Sequence, residues 1–378
     1  MVISRASETK ENIYETRASA IDQRTRLYYY IIALKIGVIG NRANIAVINE
    51  NSIPKEGRVK KIAVLTSGGD CSGMNAAVRA VVRAGLSKGI EVLGVQKGFS
   101  GLLKNHIEPL NTRSVSGILQ RGGTFLQSAR CKELYDEAGQ QKASDRLREL
   151  GVEGLVVIGG DGSLKGARSM HLRGIPTIGI PASIDNDIPF TDMSLGVDTA
   201  LNNILYAVDC LRDTASSHDR AFVVEIMGRN CGYLAMAAAI ACGAEFAIIP
   251  ETPFSIDEIC TSLRTRYKEG RDNAIILVAE GASRAQDLAD KIKDCIGFET
   301  RVMVLGHYQR GGAPSAFDRI LAARFGVAAV EALLTEQSGK MVGLACASLQ
   351  LTDLEKVTTS GIRPIDRNMI RLGTTLGI

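Results

Sequence analysis

From Lys60 onward, short apolar runs rich in β-branched residues alternate with segments of helical hydrophobic periodicity. Such short runs are typical of buried parallel strands. The predicted strands are Ile62–Thr66, Glu91–Val95, Leu155–Ile158, Thr177–Ile180, Ala221–Ile226, Ala274–Val278 and Val302–Leu305. The predicted helices are Met74–Ala84, Ala143–Leu150, Leu164–His171, Asp198–Arg212, Ile256–Lys268 and Arg284–Ile296. Regular alternation of this kind predicts an α/β protein with mainly parallel, doubly wound sheets.

Residues 1–59 follow a different pattern, because they are polar and charged up to Leu27 and then carry one short apolar patch. Pro54 and Gly57 interrupt the stretch that joins this region to the first strand. We therefore expect residues 1–59 to be a poorly ordered N-terminal extension. The remaining length is sufficient for two domains, each with its own core.

Composition narrows the possible functions. The net charge of +4 is small for 378 residues, and the basic residues are scattered, so nucleic acid is not an expected partner. The apolar run Tyr28–Gly40 is too short to span a bilayer. The acidic residues before it argue against a transit peptide. The eight cysteines form no CxxC or Cys/His cluster, which argues against zinc. The sequence predicts a cytoplasmic protein with no membrane partner.

Two glycine-rich loops follow predicted strands, where α/β proteins bind their ligands. Ser67–Gly73 and Gly159–Ser163 each precede a helix, so their backbone N–H groups and the helix dipole favour an anion. Neither loop has the GxxxxGK[ST] pattern of a P-loop. Asp161 lies between glycines, so its carboxylate can hold Mg²⁺ while the backbone approaches phosphates. These loops predict a phosphate site.

A third loop, Pro181–Asp187, contains two carboxylates. If this stretch is extended, Asp185 and Asp187 project to the same side. Two carboxylates beside a phosphate site are expected only where a metal or a proton transfer requires them. One can then accept a hydroxyl proton while the other supports the metal or its waters.

Several cations accompany these loops. Their guanidinium groups suit phosphate oxygens, although each alone is more often a surface ion pair. The candidate arginines are Arg130, Arg220, Arg229, Arg301 and Arg310. His307 precedes Arg310 by three residues and lies beside a Gly-Gly turn, where contact with a phosphate is plausible.

At this point the motifs identify a family. From about Lys60 to Leu334 the chain closely resembles the bacterial-type, ATP-dependent 6-phosphofructokinases (the phosphofructokinase A family). The motifs that carry the resemblance are LTSGGD, RGGTFL-x-SAR, VIGGDGS, P-x-S-IDND, MGR-x-CG, ETR and LGH-x-QRGG, in the order and spacing of that family. The resemblance implies the phosphofructokinase fold and transfer of the γ-phosphate of Mg-ATP to fructose 6-phosphate in glycolysis.

The resemblance also implies roles for residues at matching positions. The nucleotide site is expected to contain Gly69, Arg130, Cys131, Gly160, Asp161, Gly162 and Ser163, with Asp161 on Mg²⁺. The sugar-phosphate site is expected to contain Ser183, Asp185, Arg220, Met227, Gly228, Arg229, Glu280, Arg301, His307 and Arg310. The catalytic residues would be Asp185, as the general base for the sugar's 1-hydroxyl, with Arg130 and Arg229 on the γ-phosphoryl group. Arg220 and Arg301 would come from a neighbouring subunit of a homotetramer.

The family further implies how the chain divides. A nucleotide-binding domain is expected at residues 60–196, completed by about 314–363. A sugar-phosphate-binding domain is expected at residues 197–313, completed by about 364–378.

Two positions bear on the phosphoryl donor. Relatives that use pyrophosphate resemble GGDDS and PKTIDND, whereas this chain has Gly162 and Ala182 at the corresponding places. An aspartate at 162 would crowd and repel an α-phosphate, so ATP is favoured. A pyrophosphate-dependent enzyme remains the nearest alternative. A catalytically silent nucleotide- or sugar-phosphate-binding subunit is a second one, although Asp161, Asp185 and Asp187 are all present.

Allosteric control by a nucleotide or phosphorylated metabolite is a further implication. The matching effector positions hold Arg79, Arg83, Arg212, Glu245 and Arg271. However, Thr112 replaces an expected arginine, and Glu269 replaces an expected basic residue. Loss of cations weakens the binding of an anionic effector, so the effector is left unnamed.

Overall fold

The computed structural model describes residues 59–218, 220–271, 273–293 and 299–378, so the predicted extension lies outside the described residues apart from Val59. The strands are β1 (Lys61–Ser67), β2 (Glu91–Val95), β3 (Ile107–Leu110), β4 (Gly154–Gly159), β5 (Thr177–Pro181), β6 (Arg220–Ile226), β7 (Phe246–Ile248), β8 (Ala274–Ala279), β9 (Glu299–Val304), β10 (Lys340–Ala345) and β11 (Ser348–Asp353). The helices are α1 (Met74–Ser87), α2 (Gly98–Leu103), α3 (Glu137–Glu149), α4 (Asp161–Leu172), α5 (Val197–Ser217), α6 (Tyr233–Cys242), α7 (Ile256–Lys268), α8 (Ala285–Ile292), α9 (Ala316–Leu334), α10 (Leu354–Thr359) and α11 (Arg367–Leu376).

The strands form two sheets. The first has the order β11-β10-β5-β4-β1-β2-β3, and only its two outer strands, β3 and β11, pair antiparallel with their neighbours. The second has the order β7-β8-β6-β9, and its pairs are all parallel. The predicted α/β class with mainly parallel sheets is therefore confirmed.

Burial explains why the central strands were readable in the sequence. Every residue of β4 and of β8 is buried, as expected where helices cover both faces of a parallel sheet. Such strands are continuous apolar runs. β3, β7, β10 and β11 were not predicted, because they are short, lie near sheet edges or carry polar residues.

Hydrophobic periodicity does not locate the start of a helix whose first turns are polar. α3 begins at Glu137, six residues before the predicted start at Ala143, because its first turns are polar. Its start is set instead by Asp136, whose side chain accepts a hydrogen bond from the Gly139 N–H at 2.6 Å. Among the described residues, no helix combines the length and apolar character that crossing a bilayer requires.

The strands of the first sheet come from residues 61–181 and 340–353, and those of the second from residues 220–304. The predicted division into two domains also places these two sets of strands in different domains. The exact domain boundaries stay a prediction.

A buried carboxylate fixes the start of α5. Gly196, which precedes the helix, has φ +92° and no side chain that could cap it, and a Cβ there would lie 2.5 Å from Cys71 Cβ. Asp318 of α9 supplies the acceptor instead. Its carboxylate accepts hydrogen bonds from the Gly196 N–H (2.8 Å), the Thr199 N–H (2.8 Å) and the Thr199 hydroxyl (2.5 Å). The start of α5 is thus held by a residue over a hundred positions away.

We expect Asp318→Ala to lower the free energy of unfolding by about 2–4 kcal/mol, because it leaves buried N–H donors without an acceptor. The measurement is urea unfolding at neutral pH. The control is Asp136→Ala, which removes an exposed cap from α3 and is expected to cost about 1 kcal/mol. Equal losses in the two variants would contradict the role given to Asp318.

Candidate active site

Three of the predicted loops lie side by side at the carboxyl ends of central strands of the first sheet. β1, β4 and β5 are parallel neighbours, with Ser67 opposite Gly159 and Gly159 opposite Pro181. The Ala182 N–H donates to the Gly159 carbonyl at 3.0 Å, which extends this pairing into the loops. The loops after the three strands therefore form a single wall.

Glycine is required in this wall for two different reasons. Gly68 has φ +85°, a conformation that side chains other than glycine rarely adopt. A Cβ on Gly159 would lie 2.3 Å from the Ser67 carbonyl oxygen and 2.5 Å from Ser163 Oγ. The chain then turns directly into α4, with Gly160 as its N-cap. The first two N–H groups of α4, those of Asp161 and Gly162, have no partner within the helix and can bind an anion.

The wall borders a cleft of about 410 Å³, which is in the size range of small-molecule sites. Seven residues predicted to bind the nucleotide line it: Gly69, Arg130, Cys131, Gly160, Asp161, Gly162 and Ser163. Ser183 and Arg310, predicted for the sugar phosphate, line the same cleft. The tertiary structure therefore brings together residues from five separate segments.

Arg130 is carried by a loop that is attached to the end of β1. The Thr66 hydroxyl donates to the Gln127 carbonyl at 2.9 Å, and the Ser128 hydroxyl donates to the Gly68 carbonyl at 2.7 Å. Gln127 itself has φ +60°. These bonds hold the loop against the first glycine-rich loop, so that Arg130 reaches the cleft.

Sequence reasoning missed Lys165, which also lines the cleft. Its ammonium lies 2.7 Å from Asp161 Oδ2, one turn earlier on α4. Both residues also line a smaller cavity of about 180 Å³, which reaches Asp187. The signal in the sequence was the spacing of four residues between Asp161 and Lys165, but the predicted helix began at Leu164, so Asp161 was not placed on it.

The predicted geometry of Pro181–Asp187 was wrong in one respect, because the stretch contains a turn and is not extended throughout. Asn186 has φ +52°, and its N–H donates to the Ser183 carbonyl at 3.3 Å. Ser183, Asp185 and Asp187 are nevertheless partly exposed, while the residues between them are buried. The Ser183 hydroxyl donates to Asp187 Oδ1 at 2.8 Å. The two carboxylates thus remain close together.

Asn186, which had no predicted role of its own, holds this turn in place. Its side-chain amide donates to the Asp192 carbonyl at 3.0 Å and accepts from the Ser194 N–H at 3.1 Å. Asparagine tolerates the left-handed conformation better than most residues. Asn186 therefore positions the carboxylates on either side of it.

Asp185 has an unusual electrostatic environment. Burial, followed by repulsion from Asp187, raises its pKa to about 6, while Arg310 and Arg229 act in the opposite direction and Glu280 adds to the rise. Its Oδ1 atom is buried and has no hydrogen-bond partner among the described residues. A carboxylate of this kind can accept a proton near neutral pH.

The loop after β6 carries three residues predicted to bind the sugar. Gly228 has φ +138°, and the Met227 N–H donates to the side-chain oxygen of Gln309 at 3.2 Å. A Cβ on Gly281 would lie 1.9 Å from the Arg229 carbonyl, so the loop after β8 packs tightly against it. Gln309 is a buried residue that sequence reasoning missed, although it lies in the LGH-x-QRGG motif.

Arg310 lies across the first glycine-rich loop. Its Nη1 donates to the Asp70 carbonyl at 3.0 Å, and a Cβ on Gly69 would lie only 2.7 Å from the same nitrogen. His307, three residues earlier, is exposed. Arg310 thus connects the nucleotide cleft with the segment that was predicted to bind the sugar phosphate.

Arg220 and Arg301 are not brought to this cleft by their own chain. Arg220 begins β6 and Met227 follows its last residue, which separates them by about 23 Å along the strand. Both arginines contact Glu299: Arg220 Nε lies 2.7 Å from its carboxylate, and Arg301 forms a second ion pair. The hydrogen bond from Arg220, reinforced by Arg301, lowers the pKa of Glu299.

Two of the predicted effector residues have structural contacts. Arg212 donates to the Cys242 carbonyl at 2.7 Å, and Glu245 accepts from the Ile275 N–H at 2.6 Å. Arg79 is half-buried, whereas Arg83 and Arg271 are exposed. Effector binding at these positions stays a prediction.

Comparison with known proteins gives consistent matches. A family model described as phosphofructokinase matches residues 61–333. The ATP-dependent 6-phosphofructokinase of Clostridium tetani is 56% identical over 286 residues, covering 76% of this chain and 90% of the relative. That of Natranaerobius thermophilus is 48% identical over 320 residues, covering 85% of this chain and 100% of the relative.

Solved structures give the same result for the fold. Phosphofructokinase from Saccharomyces cerevisiae matches with a TM-score of 0.75 and 37% identity, over 84% of this chain. This chain spans only 48% of the yeast chain. A pyrophosphate-dependent phosphofructokinase from Marinobacter aquaeolei matches with a TM-score of 0.74 at 21% identity, which supports the fold alone.

Proposed function

This chain belongs to the phosphofructokinase family, and we propose that it is an ATP-dependent 6-phosphofructokinase. It transfers the γ-phosphate of ATP to the 1-hydroxyl of fructose 6-phosphate, which yields fructose 1,6-bisphosphate and ADP. The observation that carries this proposal is the half-buried carboxylate of Asp185, whose pKa is raised to about 6 and whose neighbour Arg310 lines the glycine-walled cleft. Relatives that are 48–56% identical bear this name, which supports ATP over pyrophosphate.

The residues around the cleft fit magnesium. Asp161 is a half-exposed carboxylate at the cleft, and the neighbouring α4 N–H groups suit phosphate. Among the described residues, no group of three or more metal-ligating side chains occurs. That agrees with Mg²⁺, which is commonly bound by one or two carboxylates together with substrate phosphates and water. Bound there, the ion would neutralise charge on the phosphates.

Asp185 is the proposed general base. Its Oδ1 has no hydrogen-bond donor in the described structure, so it can accept the proton of the sugar's 1-hydroxyl. Asp187 remains beside it, bound by the Ser183 hydroxyl. Repulsion between the two carboxylates favours proton uptake by one of them.

Cations and backbone dipoles around the cleft stabilise the transferring phosphoryl group. Phosphoryl transfer requires mainly positioning and electrostatic stabilisation. Arg130 lines the cleft from one side, while Arg229 and Arg310 lie within electrostatic range of Asp185. The beginning of α4 contributes its N–H groups.

The sugar phosphate is proposed to lie between this cleft and the second sheet. Met227, Gly228, Arg229 and Glu280 follow strands of that sheet, and His307 and Arg310 follow β9. Arg220 and Arg301 lie at the other end of the same strands, so they cannot complete the site of their own chain. We therefore propose that a neighbouring subunit supplies them and that the enzyme is a homotetramer. Cytoplasmic location, the domain boundaries and allosteric control remain predictions from the sequence.

The proposed function is tested by a steady-state assay with fructose 6-phosphate and Mg²⁺, comparing ATP with pyrophosphate as the donor. We expect fructose 1,6-bisphosphate from ATP and little from pyrophosphate. Product from pyrophosphate alone would reassign the donor. The absence of product from either donor would favour a silent binding subunit.

We expect kcat/KM for fructose 6-phosphate to fall as the pH drops through about 6, because a base acts only when deprotonated. Asp187→Asn removes a like charge beside Asp185, so it should move this midpoint to lower pH. Asp185→Asn should reduce turnover by about 10²–10⁴-fold. A pH profile of the Asp187→Asn variant with an unshifted midpoint would argue against Asp185 as the group that titrates.

Gly162 is the position that separates ATP from pyrophosphate in this proposal. It lines the cleft within the first turn of α4, and a Cβ there would meet nothing within 4 Å. The protein itself therefore has room for a side chain at this position. Any loss of affinity caused by a side chain at this position must therefore arise from its contact with the bound phosphoryl donor.

We expect Gly162→Asp to raise KM for ATP about tenfold, because its carboxylate would repel the donor's phosphates. Gly162→Asn has nearly the same shape without the charge and is the matched control. It should raise KM for ATP by a clearly smaller factor. Equal effects would show that crowding, rather than charge, determines the preference at this position.

A further inference from the structure

Lys165 forms an ion pair with Asp161, the carboxylate that is proposed to bind magnesium. Its Nζ lies 2.7 Å from Asp161 Oδ2, and this is the only hydrogen bond or ion pair of that ammonium within the described ranges. The two side chains are 57% and 54% exposed. The ammonium is therefore held by one accessible partner.

The ion pair lies between two cavities. Asp161 and Lys165 line both the 410 Å³ cleft and the 180 Å³ cavity that reaches Asp187. The ammonium can therefore turn towards the cleft without crossing packed protein. The cleft also contains Arg130 and the first N–H groups of α4, which together define where phosphates would bind.

The pair is easily broken. An exposed pair four residues apart on a helix stabilises the protein only slightly. A divalent cation on Asp161 would place a like charge beside the ammonium and repel it. The flexible stem of lysine, with three rotatable donors, allows the ammonium to reach a new partner nearby.

We infer that Lys165 is an exchangeable cation of the nucleotide site. In the free enzyme it neutralises Asp161. When a divalent cation binds Asp161, Lys165 moves to the phosphates of the donor. This inference rests on the proposed function, because it takes a nucleotide triphosphate as the ligand of the cleft.

The first test is calorimetric binding of Mg-ATP to Lys165→Met. The affinity should fall about fivefold to tenfold, since a lost contact with a charged phosphate outweighs the small cost of breaking an exposed pair. Lys165→Arg should stay within about threefold of the wild type. KM for fructose 6-phosphate should not change.

The matched control is Lys293→Met. Lys293 pairs with Asp290 at 3.7 Å, and these side chains are 55% and 56% exposed, much like the pair on α4. Neither residue lines the cleft. Its loss should leave the affinity for Mg-ATP unchanged. Equal losses in the two methionine variants, or no loss in either, would overturn the inference.

The second test isolates the exchange itself by a double-mutant cycle with ATP in EDTA. The substitution Asp161→Asn frees Lys165 from its ion pair in the absence of metal. In this background, Lys165→Met should reduce the affinity for metal-free ATP. The factor of this reduction should be at least about three times the factor measured with Asp161 in place. The same loss in both backgrounds would show that Asp161 does not restrain the lysine. Thermal unfolding of each variant checks that the fold is retained.

Failure of the inference and failure of the proposed function can be told apart. The binding experiments require no turnover, and the assay of the wild-type enzyme does not depend on Lys165. Turnover without coupling in the cycle would reject only the exchange. Coupling without turnover would retain the exchange in a protein that binds ATP and does not transfer its phosphate.

Discussion

The parallel backbone pairing of β1 with β4 and of β4 with β5 places the carboxyl ends of three strands side by side. The loops after these strands carry the N–H groups that suit phosphate, the proposed magnesium ligand Asp161 and the proposed base Asp185. The distances between these groups are set by the spacing of the strands and by glycines that allow close backbone contact, as at Gly159. The chemistry of the site therefore depends on a register that buried apolar side chains maintain far from any ligand.

Charge balance is the second constraint on the site. Burial of Asp185 beside Asp187 is unfavourable for the ionised form, while Arg310 and Arg229 partly offset this effect. The outcome is a carboxylate that is still ionised at neutral pH but accepts a proton readily. Asp161 is in the opposite situation, because it is exposed and neutralised by Lys165. The two environments thus suit the same residue type to different proposed roles, a base in one loop and a metal ligand in the other.

Long-range contacts hold these groups in position. Asp318 fixes the start of α5 from within α9, and the Ser72 hydroxyl donates to the Gly312 carbonyl at 2.8 Å, which ties the loop of Arg310 to the first glycine-rich loop. By contrast, Arg220 and Arg301 lie at the far end of the second sheet, bound to Glu299. A single chain therefore brings all seven predicted nucleotide residues to one cleft, whereas two of the residues predicted for the sugar phosphate lie far from it.

The sequence by itself determined the fold class, the central strands and the glycine-rich loops, because buried parallel strands are continuous apolar runs and phosphate loops require glycine at fixed places. It also identified Asp161 and Asp185 as candidates for chemistry. Short or polar strands such as β3 and β11 were not visible, since their pairing depends on neighbours rather than on their own composition. Only the tertiary structure decided that Asn186 turns the chain between the two carboxylates, that Asp318 caps a helix over a hundred residues away, and that Lys165 shares the carboxylate of Asp161. These features depend on hydrogen bonds and ion pairs of particular side chains, and a one-dimensional pattern does not contain their distances.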